Sequence, residues 1–123
     1  MYDEQLAERV RFCLAASPTV TERQMFGGVA FLLSGNMACG IVGSDLMVRT
    51  GPERYEGALA QPHARPMEFT GRAMRGMVFV GKDGLDDQAL GRWVAMGVTF
   101  AGGLPAKRPE GPRSPSGRRV RQR

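Results

Sequence analysis

Four arginines carry the strongest chemical signal in this chain of 123 residues: Arg49, Arg65, Arg72 and Arg75. Guanidinium groups brought together grip phosphate or carboxylate in forked geometry, so these four are candidate anion contacts. Ordinary pairing with the neighbouring acids Glu53, Glu56 or Glu68 is the favoured alternative for the same residues. Acid/base work would need two carboxylates with different environments, but Asp86-Asp87 opens a helical stretch, where acids serve as caps. The one histidine, His63, stands between Pro62 and Ala64, and the sequence has no nucleophile elbow for it to serve. Cys13 and Cys39 have no second cysteine or histidine at metal-ligand spacing, so both are expected to be reduced, small hydrophobic residues, on a helix face and a strand respectively. No catalytic residue, cofactor site or metal site is expected.

Glycine is the remaining candidate. A phosphate loop needs backbone N–H groups at a helix start and often a lysine, whereas Gly27-Gly28 precedes the β-rich run Val29-Ala30-Phe31-Leu32-Leu33 and no Gly-Lys-Ser/Thr occurs. Glycines at strand ends permit positive φ and tight turns, and Gly40 inside a strand admits close backbone approach.

The elements that position these residues follow from periodicity. Leu6, Val10, Cys13 and Leu14 recur at helical spacing, with Asp3 as cap and Ser17-Pro18 as stop. Val20 to Phe26, Val29 to Leu33, Met37 to Val42 and Leu46 to Arg49 read as strands, joined by turns at Ser34-Gly35-Asn36 and Gly43-Ser44-Asp45 too short for anything but an antiparallel meander. Pro52 suits the first turn of a second helix carrying Tyr55, Ala58 and Leu59. Strands at Met67 to Thr70 and Met77 to Val80 flank a basic turn from Gly71 to Gly76. A last helix starts near Asp86-Asp87 and buries Leu90, Trp93, Val94, Gly97 and Phe100. Helices outside an antiparallel sheet of this order make an α+β fold.

Along the sheet, Phe31, Leu33, Cys39, Ile41, Leu46 and Val48 share one face, yet Ala30, Leu32, Ala38, Val42 and Met47 make the other face apolar too. Such a sheet must be covered twice. Either the helices wrap both faces, or one is left to a second copy or another protein. The eight methionines suit core filling and also adaptable contact surfaces.

Charge divides the chain. Residues 107–123 carry Lys107, Arg108, Arg113, Arg118, Arg119, Arg121 and Arg123 against Glu110, a net of +6, while residues 1–106 hold ten basic and eleven acidic side chains, a net of −1. The segment after Leu104 has one large aliphatic residue, Val120, and is expected to be a disordered tail, free to neutralise nucleic-acid phosphates without reading bases. Apolar runs fall far short of a membrane span and the start Met1-Tyr2-Asp3-Glu4 is unlike a signal peptide, which points to the cytoplasm.

Arg23-Gln24-Met25-Phe26-Gly27-Gly28, Gly35-Asn36-Met37-Ala38-Cys39-Gly40, Asp45 to Arg49, Arg65-Pro66-Met67 and Met74-Arg75-Gly76, in that order, resemble the N-terminal domain of the TfoX/Sxy family. Met25-Phe26-Gly27-Gly28 is the most specific part, Gly35, Asn36 and Gly40 complete the structural motif, and the likeness covers about residues 1–104, leaving 105–123 as the tail. The resemblance implies an α-β-β-β-α-β-β-α order similar to secretion-chaperone-like domains. It also implies a bacterial regulatory or protein-interaction module with no catalytic set, acting on a protein partner or as a homodimer. Full-length members regulate natural competence and carry a second domain, where this chain has its arginine-rich segment.

Overall fold

The computed structural model describes residues 2–106 apart from 18, 26, 70 and 71, with backbone alone at 68, 69 and 72–74. Phe26, the side chain of Arg72 and all seven basic residues from Lys107 to Arg123 therefore lie outside the described residues.

Helix α1 spans Glu4–Cys13, and the Asp3 carboxylate caps it by accepting a 3.1 Å bond from the Leu6 amide. That bond, with Lys82 at 3.3 Å, holds the Asp3 carboxyl below the usual carboxylate range. Strands β1 (Val20–Met25), β2 (Gly28–Leu33), β3 (Asn36–Val42) and β4 (Asp45–Arg49) follow as a meander. A short helix α2, Tyr55–Leu59, leads to β5 (Ala64–Phe69) and β6 (Arg72–Val80), then a 3-10 turn at Lys82–Gly84 and helix α3, Asp87–Gly102. The fold is α+β, with one six-stranded antiparallel sheet in the order β1-β2-β3-β4-β6-β5. Four strands precede α2, one more than the resemblance implies, because Asp45–Arg49 pairs with β3 on one side and β6 on the other.

Several local expectations are corrected. Arg72 to Gly76 is strand, not turn: β6 begins at Arg72, which pairs with Phe69. Asn36 belongs to β3 and pairs with Leu33, leaving Ser34 (φ 50°) and Gly35 (φ 84°) as the turn. Pro52 stands three residues before α2, which starts at Tyr55. Cys13 is exposed, since the buried stripe of α1 runs Leu6, Ala7, Val10 and Leu14 and leaves the cysteine on its margin in the last turn.

All three helices pack into one cluster on one face of the sheet. Leu6 and Val10 of α1, Tyr55 and Ala58 of α2, and Leu90, Trp93 and Val94 of α3 meet Phe31, Cys39, Ile41, Leu46, Val48, Val78 and Val80. That is the face Phe31, Cys39, Ile41, Leu46 and Val48 were expected to share. Close approach depends on missing side chains: a Cβ on Gly97 of α3 would lie 2.2 Å from the Ala38 carbonyl oxygen, so the helix backbone rests directly on β3.

Outside the core, Arg11 ties α1 to β1. Its guanidinium holds Glu22 in a forked pair at 2.6 and 3.0 Å and reaches Glu8 at 2.8 Å and Glu4 at 3.8 Å. The Arg11 guanidinium keeps the Glu22 carboxyl below its ordinary range. A carboxyl lowered in the folded state stabilises above its unfolded pKa and loses that contribution as pH falls through the folded value. Glu22→Gln is therefore expected to cost under about 1 kcal/mol at pH 7, given its exposure, and to cost progressively less as pH falls through and below the usual carboxylate range, measured as urea midpoints of both proteins across that range.

Candidate interaction surface

The second face of the sheet is built by the register. Arg23 pairs with Ala30, Ala30 with Gly40, Gly40 with Met47, Met47 with Phe79 and Phe79 with Arg65, so one row of side chains crosses all six strands away from the helices. The row is small at Ala30 and Gly40. A Cβ on Gly40 would sit 2.7 Å from the Met47 methyl carbon, which means the thioether lies down over the glycine and is 1% exposed there. Met47 joins Met67, Met77, Met37 and Phe79 in a cluster separate from the main core, and no helix residue is part of it among the described residues. Leu32, Met37, Val42 and Phe79 remain half-buried. This face is a polarisable, methionine-rich platform with aliphatic margins.

Arg65 roofs one end. Its guanidinium lies 5.1 Å from the Phe79 ring centroid and pairs with Asp45 at 2.5 Å. Arg49 is held elsewhere, 5.1 Å over the Phe100 ring and 3.5 Å from the Met37 carbonyl oxygen. Arg75 is exposed on β6. Among the described residues Arg49 and Arg65 share no partner. Asp45 was missed as the partner of Arg65 because twenty residues separate them and only the β4-β6-β5 order brings them together.

The outer strands discourage edge-to-edge addition. β1 exposes Thr21, Glu22, Arg23 and Gln24, and β5 carries Pro66 beside a register shift. The face away from the helices and the ends are left as contact surfaces.

The glycine stretch lies at one such end. Gly27 takes φ 73°, and Gly28 starts β2 with Ile41 so close that a Cβ would lie 1.9 Å from the Ile41 carbonyl oxygen. A cleft of about 390 Å³ there is lined by Tyr2, Gln24, Met25, Gly27 and Gly28, with no basic side chain among them. A second cleft, about 370 Å³, runs between Thr50 to Arg54 and Thr99 to Leu104. Asn36, buried at the start of β3, donates a 2.9 Å bond to the Pro105 carbonyl and anchors the chain just past α3.

The other chemically interesting groups have structural partners. Asp86 caps α3 by accepting from the Ala89 amide at 2.8 Å, and Asp87 pairs with Arg9 at 3.1 Å. His63, at φ 67°, accepts the Gly81 amide on its carbonyl and lies against Gly84. Burial pushes the Cys39 thiol up to about 12, and burial also raises Cys13. Native protein is expected to release one thiol equivalent rapidly to an aromatic disulfide reagent, from Cys13, and the second only in denaturant. Among the described residues no group of three or more potential ligands could hold a metal, and no helix is long and apolar enough to cross a membrane.

No curated protein and no solved structure matches the chain. One family model does: the TfoX N-terminal domain aligns with residues 13–101, nearly three-quarters of the sequence and every strand of the sheet. On that match, and with the glycine-bounded strands in the expected order, this chain belongs to the TfoX N-terminal domain family.

Proposed function

We propose that the protein is a small, non-enzymatic regulatory or interaction module of the cytoplasm that uses the methionine-rich face of its sheet to bind a protein partner or a second copy of itself. Membership in a non-catalytic domain family supports the class. The observation that carries the surface is the one-sidedness of the helices: all three pack on the Phe31 face, while Leu32, Met37, Val42 and Phe79 stay half-buried on the other. Thioethers adapt their shape to different partners, which suits an interaction module better than a single rigid ligand. Light scattering across a wide concentration range, with affinity capture from a cell extract, tests this reading. Self-association or specific capture that is lost in Leu32→Glu supports it; a strict monomer with nothing captured defeats it.

A second reading rests on charge division: residues 107–123 hold +6 while the rest sums to −1. In that reading the arginine-rich segment neutralises nucleic-acid phosphates without base preference. If four to six phosphates are engaged, the log of affinity for duplex DNA falls with log salt at a slope of about −4 to −5. A flat salt response would exclude it.

A further inference from the structure

We propose that the outward face of α1 is a docking surface for the arginine-rich segment 107–123 of the same chain. Phe12 is the one large hydrophobic residue left open among the described residues, at 84% exposure, and Cys13, Ala15 and Ala16 beside it are exposed as well. One turn earlier on the same side stands Glu8, which with Glu4 and Glu22 shares the single guanidinium of Arg11. Three carboxylates around one cation leave this face with a local charge of −2. The nearby cations Arg9 and Lys82 are already matched by Asp87 and Asp3. An exposed aromatic ring bordered by surplus carboxylates selects for guanidinium groups, which bind both at once. Among the described residues arginine already stacks on phenylalanine twice, at 5.1 Å in each case.

The occupant is decided by position and length. Pro105 is tied to Asn36, Asn36 pairs with Leu33, the Ser34 amide donates to the Thr19 carbonyl, and Ser17 donates to Leu14. The chain therefore enters residues 107–123 at the end of the molecule where α1 finishes. On random-coil statistics a seventeen-residue length spans about 20–25 Å, against a length of about 15 Å for the whole of α1. Six of the seven basic residues in that segment are arginine. Tethering supplies an effective concentration in the millimolar range, enough to populate a contact made of individually weak, exposed ion pairs. The contact is consequently sensitive to salt, and it competes with any polyanion for the same arginines. It does not depend on the sheet face.

The native thiols provide the probe, because Cys13 is exposed beside Phe12 and Cys39 is buried. A nitroxide on Cys13 of the full chain is expected to broaden amide signals of residues 107–123 at low salt, about 50 mM, and to release them at about 500 mM, where screening is several-fold shorter in range. In the Glu4→Gln/Glu8→Gln variant, which changes only exposed side chains, the low-salt broadening is expected to fall several-fold. Absence of broadening at low salt overturns the proposal. So does broadening that is equal at both salt concentrations and in the variant, since charge would then play no part. A mixture of nitroxide-labelled chains with isotope-labelled, nitroxide-free chains reports contacts between copies; broadening as strong there as within one chain overturns the intramolecular assignment.

Discussion

Gly28→Ala is expected to destabilise the protein by about 3 kcal/mol, at the upper end of what overpacking costs. The new methyl group would lie 1.9 Å from the Ile41 carbonyl oxygen, 3.0 Å from its carbon and 3.2 Å from the Val42 Cα. All three are backbone atoms in a paired strand, so no rotamer change relieves the contact and β2 and β3 must separate near Val29–Ile41. The adjoining glycine gives an internal comparison. Gly27 adopts φ 73° with open space where a Cβ would sit, so Gly27→Ala carries only the left-handed backbone penalty of about 1–2 kcal/mol. Asparagine, which tolerates that conformation, should restore part of it. Urea unfolding of the three variants separates the two roles. Equal losses for Gly27→Ala and Gly28→Ala would contradict the close packing of Gly28 against β3.

Gly97→Ala should likewise destabilise, against the ordinary helix preference. In the interior of an exposed helix the change from glycine to alanine gains about 0.8–1.0 kcal/mol. At Gly97 the methyl group meets the Ala38 carbonyl oxygen at 2.2 Å and its carbon at 2.9 Å, and overpacking of a rigid backbone costs about 1–3 kcal/mol or more. The steric term wins, for a net loss of about 1–2 kcal/mol. Gly91 on the same helix has nothing within 4 Å of its would-be Cβ, so Gly91→Ala is expected to raise stability by about 0.5–1 kcal/mol. Thermal unfolding resolves these opposite signs, since about 1 kcal/mol moves the midpoint of a domain this size by several degrees. A rise in both variants would mean α3 does not rest on β3 at Ala38.

Together these substitutions answer what the glycines between residues 27 and 40 do. Gly27 and Gly35 serve turns with positive φ, while Gly28 and Gly40 clear space for a neighbouring strand and for the Met47 thioether. Both functions shape the sheet. The flat, small-residue floor at Ala30 and Gly40 is what lets the methionine cluster form on the face that the helices leave uncovered.

Local sequence was enough for the α+β class, the meander, the cap at Asp3, the start of α3 at Asp86-Asp87 and the alternation that sends Phe31, Cys39, Ile41, Leu46 and Val48 to one side. These features depend on interactions within a few residues or on a two-residue period, and both are written directly into residue order. The extent of β6 was not legible. Arg72 to Gly76 looks like a basic turn in isolation, and only pairing with β5 makes it strand. The partner of Arg65, the exposure of Cys13 and Phe12, and the gathering of every helix on one face were likewise decided by tertiary structure. Strand order and helix placement set which residues far apart in sequence meet, and no local preference encodes that order.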